Sequence, residues 1–122
     1  MTSAQRLPIL LVDDDESILS TVEFLLTDEG YLVMVAANGK EALKRIASQT
    51  PCLILLDMKM PVMDGWAFAH AYRESPGPHA PIVVMTAAHD SHKRAAEIAA
   101  DDVIAKPFDV NHLLDLVRKY VA

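Results

Sequence analysis

Cysteine is nearly absent from this chain, and so are long hydrophobic runs. The single cysteine, Cys52, excludes an internal disulfide. It opens an apolar run and has no obvious partner for nucleophilic chemistry, which favours a small core residue. No apolar run approaches the ~20 residues that a membrane-spanning helix needs. The first seven residues are mostly polar and lack the apolar segment of a signal peptide. These absences predict a cytoplasmic domain.

Positive charge is also scarce. The chain has 11 Lys and Arg against 17 Asp and Glu, which gives a formal net charge of -6. This balance argues against non-specific binding to nucleic acid or to a membrane surface, because both attract basic proteins. The only basic cluster, Lys93-Arg94, is short and is interpreted as a solvated helix face. The five histidines lack metal-ligand spacing and are interpreted as surface residues.

Apolar segments are abundant and regularly spaced. With 122 residues and 52% hydrophobic composition, the chain fits one domain, 1–122, built on one core. Strands are predicted at 9–13, 31–36, 53–57, 81–86 and 103–105, and helices at 16–29, 39 onward, 65–74, 91–100 and 110 onward. Strictly alternating strands and helices predict an α/β fold in which a parallel sheet carries helices on both faces.

Two of the predicted helices have distinct inner faces. The last helix has an apolar stripe, which is predicted to contain Val110, Leu113, Leu114, Val117 and Val121. The fourth helix is rich in alanine, so its inner face is thin.

Chemically active side chains follow four of the five predicted strands. Asp13-Asp14 follow the first, Asp57 ends the third, Thr86-Ala87 end the fourth and Lys106-Pro107 follow the fifth. Ligands of such folds bind outside the carboxyl ends of the strands, so these side chains converge on one crevice. Carboxylates held close together disfavour each other's ionised form and therefore call for a cation. The sequence predicts a Mg²⁺ site beside a reactive carboxylate.

Order and spacing of these motifs resemble the response-regulator receiver domains of two-component signalling, also called CheY-like domains. The matching segments are Leu10-Leu11-Val12-Asp13-Asp14, 55–65, Val84-Met85-Thr86-Ala87 and Lys106-Pro107-Phe108. The resemblance covers nearly the whole chain. It implies the flavodoxin-like (βα)5 three-layer sandwich with sheet order 2-1-3-4-5. It also implies phosphoryl transfer from a histidine kinase to one aspartate.

The resemblance assigns the acidic residues and the metal ligands. Asp57 matches the phosphoacceptor, whose carboxylate attacks phosphorus. Asp14 matches the direct Mg²⁺ ligand, and Asp13 matches the acid that holds the ion through water. Met58 is expected to supply a backbone carbonyl, since Mg²⁺ prefers oxygen ligands.

The resemblance also assigns the groups around the phosphoryl oxygens. Lys106 is expected to bind one oxygen as a point charge. The hydroxyl of Thr86 is expected to bind another, and Ala87 leaves room for the group. The Lys106-Pro107 bond is expected to be cis.

Three positions depart from the usual pattern or tune it. The resemblance implies output through the face of helix 4, strand 5 and helix 5. Val103 stands where the family has the aromatic residue that swings inward on activation, so the usual relay is incomplete and helix 4 is expected to shift as a unit. Lys59 and Ala88 occupy the two positions that tune dephosphorylation. Ala88 cannot orient an attacking water, which predicts slow loss of the phosphoryl group.

Two other functions stay open. A degenerate receiver could act only as a docking module. An aspartate-nucleophile phosphatase of the haloacid dehalogenase type could use Asp13 and Asp15, whose spacing formally fits, but the chain is short for a cap domain. The expected partners are a sensor histidine kinase or phosphotransfer protein and a downstream target or fused effector domain. The domain is expected to be a monomer or a phosphorylation-dependent dimer.

Overall fold

Strands and helices alternate along the whole of the described chain, residues 7–121 of a computed structural model. The strands are β1 (Ile9–Val12), β2 (Val33–Ala36), β3 (Leu53–Asp57), β4 (Ile82–Ala87) and β5 (Asp102–Lys106). The helices are α1 (Glu16–Asp28), α2 (Gly39–Ser48), α3 (Gly65–Glu74), α4 (Ser91–Glu97) and α5 (Val110–Tyr120). A single 3₁₀ turn, Ala88–Asp90, joins β4 to α4. None of the described helices is long and apolar enough to cross a membrane.

The strands form one parallel sheet with the order β2-β1-β3-β4-β5. This is the flavodoxin-like arrangement expected from the sequence. Since β1 lies between β2 and β3, the direction of chain progression reverses at the β1–β3 neighbours. A crevice therefore opens where the carboxyl ends of these two strands meet.

Each face of the sheet carries its own apolar cluster, because successive side chains of a strand point to opposite faces. Ile9 and Leu11 pack with residues of α1 and α5. Leu10 and Val12 pack with residues of α2 and α3 and with Ile98 after α4. All four residues of β1 are fully buried, as expected for a strand covered on both faces.

Polar caps fix where several helices begin. Asp15, Asn38, Asp64 and Asp109 each accept hydrogen bonds from backbone N–H groups in the first turn of the following helix. Asp15 and Glu16 thus form the cap and first turn of α1.

Helix α4 ends earlier than the pattern of the sequence predicts. It stops at Glu97 rather than at residue 100. Ala99 adopts φ 51°, and the N–H groups of Ala99 and Ala100 donate to the carbonyls of Ala96 and Ala95. This is the double hydrogen bond of a Schellman motif, a helix end that usually has glycine in the left-handed position. The end was missed because alanine stands there.

Two helix-face predictions also needed correction. In α5, Leu116 is buried while Val110 is 42% exposed, so the inner face is rotated from the predicted stripe. In α4, Lys93 is exposed as predicted, but only 14% of the Arg94 side chain is exposed.

Cys52 is half-buried, and its Sγ–H donates to the Leu7 carbonyl, 3.2 Å away.

Ala99→Gly should stabilise the protein. The substitution relieves the strain of an alanine in the left-handed conformation. The free energy gained in this way exceeds the free energy lost because glycine adds conformational entropy to the unfolded chain. We expect the free energy of unfolding to rise by about 0.5–1 kcal/mol, measured by urea denaturation. Ala96→Gly is the matched control, since Ala96 lies within α4, and it should lower the value by about 1 kcal/mol. Loss of stability in Ala99→Gly would contradict the assigned helix end.

Candidate functional site: a carboxylate cluster at the carboxyl ends of β1 and β3

Three carboxylates meet at the crevice between β1 and β3. Asp13 follows β1 directly, Asp14 comes next, and Asp57 is the last residue of β3. One oxygen from each lies within 4.8 Å of the others. Asp13 is fully buried, Asp57 is 9% exposed and Asp14 is exposed to solvent. The sequence prediction that these strand ends converge is therefore met by the geometry.

Electrostatics at Asp57 are unfavourable for its charged form. Burial and the neighbouring charge of Asp13 raise the pKa of Asp57 to about 6, against the opposing effects of Lys106 and of the Met58 N–H. That N–H donates to Asp57 Oδ1 over 2.9 Å. A carboxylate so placed gains from any cation that enters the crevice.

Lys106 is the cationic side chain at this cluster. Its Nζ lies 2.7 Å from Asp13 Oδ2 and 3.5 Å from Asp57 Oδ1. Burial favours its neutral amine, but the hydrogen bond and charge of Asp13, with help from Asp57, outweigh burial and raise the pKa of Lys106. Lys106 ends β5, and the Lys106-Pro107 bond is cis, as expected. One ammonium thus serves two buried carboxylates.

The fourth strand contributes Thr86 and Ala87. Met85 pairs with Asp57 in the parallel ladder, so Thr86 lies one residue beyond the level of Asp57. Thr86 is 7% exposed. Ala87 pairs with Lys106 in the ladder between β4 and β5. Thr86 and Ala87 thus lie at the carboxyl edge of the sheet, between Asp57 on β3 and Lys106 on β5.

Beside Lys106 lies a largely apolar hollow. Its volume is about 420 Å³, and it is lined by Ile18, Ala87, Lys106, Pro107 and Phe108. The hollow opens next to the cationic group of the cluster.

The turn between β3 and α3 is tight and strained. Val62 has φ 70°, and Met63 N–H donates to the Pro61 carbonyl over 2.7 Å, which closes a three-residue turn. A β-branched residue rarely adopts this conformation, and such strain concentrates at functional sites. Gly65 follows, and a Cβ there would lie 2.8 Å from the Asp57 carbonyl oxygen, so only glycine fits.

The positions expected to tune or relay the signal are spread around the cluster. Lys59 is exposed in the loop after β3. Ala88 opens the 3₁₀ turn after β4, and its side chain lies outside the described part of the structure. Val103 is half-buried, packs against the cluster beneath α2 and α3, and pairs with Val84 in the sheet.

The donor set fits Mg²⁺. Carboxylate oxygens from two strand ends lie within reach of one ion, and hard divalent cations prefer such ligands. The carbonyl oxygen of Met58 accepts a hydrogen bond from Gly65 N–H over 2.8 Å, which leaves its second lone pair for an ion. Like-charge repulsion between Asp13 and Asp57 is the physical reason for a cation here.

Sequence reasoning missed one polar group near the site. The Trp66 indole N–H donates to Glu97 Oε1 over 2.9 Å, and the Arg94 guanidinium lies 5.1 Å from the centroid of the Trp66 ring. The helical spacing of Asp90, Arg94 and Glu97 was a readable signal for ion pairs along α4 and the residue before it. The contact to α3 depends on tertiary packing and had no such signal.

Asp57→Asn should remove a pH-dependent loss of stability. The folded pKa of about 6 lies above the ordinary 3.8, so Asp57 destabilises the protein as pH rises through about 6. Without Mg²⁺ at about pH 7, Asp57→Asn should raise the free energy of unfolding by about 1–3 kcal/mol and abolish the fall in stability that the wild type shows between about pH 4 and 6. Urea denaturation at several pH values measures it.

Asp115→Asn is the control for this measurement. Asp115 is exposed on α5 and pairs with Arg118, away from the carboxylate cluster. This variant should keep the pH dependence of the wild type. If the free energy of unfolding changed equally with pH in Asp57→Asn and in wild type, the pKa of Asp57 would not be raised by burial and by Asp13.

Proteins of known type match this chain over nearly its full length. The model of the response regulator receiver domain matches residues 9–118. Response regulator MprA of Mycolicibacterium vanbaalenii is 39% identical over 112 residues, which are 90% of this chain and 48% of that protein. An uncharacterized 14.6 kDa protein of Leptolyngbya boryana is 37% identical over 98% of this chain and 94% of its own length. The chain thus spans about half of MprA but nearly all of the smaller relative.

Solved structures agree with the sequence relatives. Vibrio cholerae chemotaxis protein CheY4 has a TM-score of 0.84 and 32% identity, covering 94% of this chain and 98% of that one. The receiver domain of NtrX from Brucella abortus has a TM-score of 0.84 and 28% identity, covering 93% and 97%. The chain belongs to the response regulator receiver domain family.

Proposed function

We propose that this receiver domain is a phosphoacceptor switch that takes a phosphoryl group from the phosphohistidine of a histidine kinase or phosphotransfer protein onto Asp57. The observation that supports this most is the placement of Asp57. It is a buried carboxylate at a strand end, with oxygens of Asp13 and Asp14 within 4.8 Å and Lys106 Nζ at 3.5 Å.

The transfer step follows from this arrangement. A carboxylate oxygen of Asp57 forms a bond to phosphorus while the bond from phosphorus to the histidine ring nitrogen breaks, and the electron pair leaves with that nitrogen. The three phosphoryl oxygens carry the charge of a loose transition state, so positioning and charge neutralisation supply most of the catalysis. Lys106 neutralises one oxygen, Thr86 donates its hydroxyl to another, and Ala87 leaves space.

Asp13, Asp14, Asp57 and the Met58 carbonyl are the proposed ligands of Mg²⁺. When bound, the ion supplies positive charge that lets an anionic donor approach an anionic nucleophile. Lys106 Nζ lies 2.7 Å from Asp13 and 3.5 Å from Asp57. Lys106 would turn from Asp13 to Asp57 and the phosphoryl group if Asp13 helped to hold the ion.

Other functions fit the geometry less well. The Asp13/Asp15 pattern of a phosphatase would need Asp15 in the site, but Asp15 Oδ1 caps α1 by accepting from the N–H groups of Ser17 and Ile18. A pure docking module would not need the convergence of acids, Thr86 and Lys106. We therefore infer a signalling module that catalyses its own modification and not a turnover enzyme.

Output and lifetime complete the proposal. Val103 has no ring to swing, so the conformational change is passed on through a shift of α4, which is recognised by a downstream protein or a fused effector domain. The domain acts in the cytoplasm as a monomer or as a phosphorylation-dependent dimer. It makes no direct contact with nucleic acid. Ala88 offers neither a base nor a group that orients an attacking water, so we infer slow dephosphorylation.

Acetyl phosphate with Mg²⁺ should add one phosphoryl group to the wild type and none to Asp57→Asn. The reason is that Asp57 is the proposed nucleophile. Intact mass measures the gain, and its decay after removal of the donor measures the lifetime. Asp115→Asn is the control and should be modified like wild type, since Asp115 lies on α5. Modification of Asp57→Asn to the same extent would overturn the assigned acceptor.

Mg²⁺ should stabilise the wild type but not Asp13→Asn or Asp14→Asn. A ligand that binds only the folded state raises its stability by about 2.7 kcal/mol when its concentration is about 100 times the dissociation constant. Thermal unfolding with and without Mg²⁺ measures the difference. Equal stabilisation of wild type and both variants would show that the ion binds elsewhere. That outcome would contradict the proposed metal ligands without contradicting Asp57 as the acceptor, which intact mass tests separately.

A further inference from the structure

Helix α4 is attached to α3 by a compact polar group. Trp66 donates to Glu97 Oε1, and the Arg94 guanidinium lies 5.1 Å from the Trp66 ring centroid. Arg94 also lies 3.2 Å from Glu97 and 3.7 Å from Asp90. The hydrogen bond from Trp66, above all, lowers the pKa of Glu97, which keeps that carboxylate ionised. A cation, an anion and an aromatic ring thus hold one another between the two helices.

The far end of α4 is tied to the same helix. Arg73, near the end of α3, donates to the carbonyl oxygens of Ile98 and Ala99. Orphan carbonyls at a helix end gain from such a cation. Helix α4 packs mainly on β4 and β5, and these polar contacts are what ties it to α3.

This attachment reaches the carboxylate cluster by two routes. Gly65 N–H donates to the Met58 carbonyl, and Gly65 packs against the Asp57 carbonyl. Trp66 is the next residue of the chain, so it follows directly on the glycine that contacts the Asp57 backbone. On the other side, the 3₁₀ turn that follows β4 ends at Asp90. A movement of either segment therefore changes the distances among Trp66, Arg94 and Asp90.

We propose that Trp66, Arg94 and Glu97 form a latch that holds α4 on α3 and opens when Asp57 is phosphorylated. The inference rests on the proposed function. Arg94 Nε is buried without a hydrogen-bond partner in the described part of the chain, so the closed latch leaves one donor unsatisfied. Val103 has no ring to take this role, and Trp66 is the only tryptophan of the sequence.

Arg94→Met should open the latch without phosphorylation. The variant keeps a long apolar side chain but removes the charge shared by Trp66, Glu97 and Asp90. We expect amide exchange in 88–100 to become about five- to tenfold faster, with α5 unchanged. Arg118→Met is the matched control, since Arg118 is 53% exposed on α5 and pairs with Asp115 and Glu29. Unchanged exchange in Arg94→Met would overturn the latch.

Fluorescence of Trp66 tests the coupling to phosphorylation. Acetyl phosphate with Mg²⁺ should shift the emission of wild type and of Arg118→Met. Unphosphorylated Arg94→Met should already show most of that shift. Intact mass on the same samples reports the modification. A phosphoryl gain with unchanged emission would overturn the coupling alone, whereas no gain in any sample would overturn the proposed function and its coupling together. Amide exchange would then still decide whether the latch exists.

Reciprocity gives a second measure that a purely structural role would not move. If a phosphoryl group at Asp57 favours the open latch, then an open latch favours the phosphoryl group by the same factor. A variant whose latch is already open should therefore bind a phosphoryl mimic more tightly. Beryllofluoride with Mg²⁺ should bind Arg94→Met about fivefold more tightly than wild type. Equal affinity in Arg94→Met and wild type would overturn the coupling.

Discussion

Asp13 and Asp57 repel each other across the carboxyl ends of β1 and β3, and much of the structure around them serves to hold them there. Neither side chain can move far, because Asp13 directly follows β1, Asp57 ends β3, and the sheet fixes the distance between these neighbouring strands. Their main compensation is the ammonium of Lys106, which β5 brings from the other side of β4. This tension makes the site responsive, since a divalent cation or a phosphoryl group changes the balance among three buried charges.

The turn after β3 transmits the position of Asp57 to the rest of the domain. Gly65 packs directly on the backbone of Asp57 and Met58 and leaves no room for a side chain. The carbonyl of Met63 accepts from Gly39 N–H at the start of α2, where a Cβ would lie 2.7 Å from the Met63 side chain. Helices α2 and α3 are therefore positioned by the same strained turn that borders Asp57.

Helix α4 contrasts with this rigid part. It is short, its left-handed end has alanine in place of glycine, and it is held to α3 by ionic and aromatic contacts. Polar contacts of this kind are weaker than the apolar packing that holds α5, where four residues are buried. A short helix that polar contacts tie to α3, and that lies next to a charged crevice, is an element suited to a two-state change.

The sequence by itself determined the strands, the parallel sheet, its family and the residues that gather at its carboxyl edge. Apolar runs that end in Asp13 and Asp57 are local signals, and side-chain caps such as Asn38 and Asp64 mark helix starts within a few residues of the chain. Tertiary structure alone decided that Arg94 folds over Trp66, that Leu116 faces inward while Val110 does not, and that α4 ends at Glu97. The reason is physical. Periodicity gives the spacing of a helix face, but which side chain is covered depends on the neighbouring element against which that helix packs.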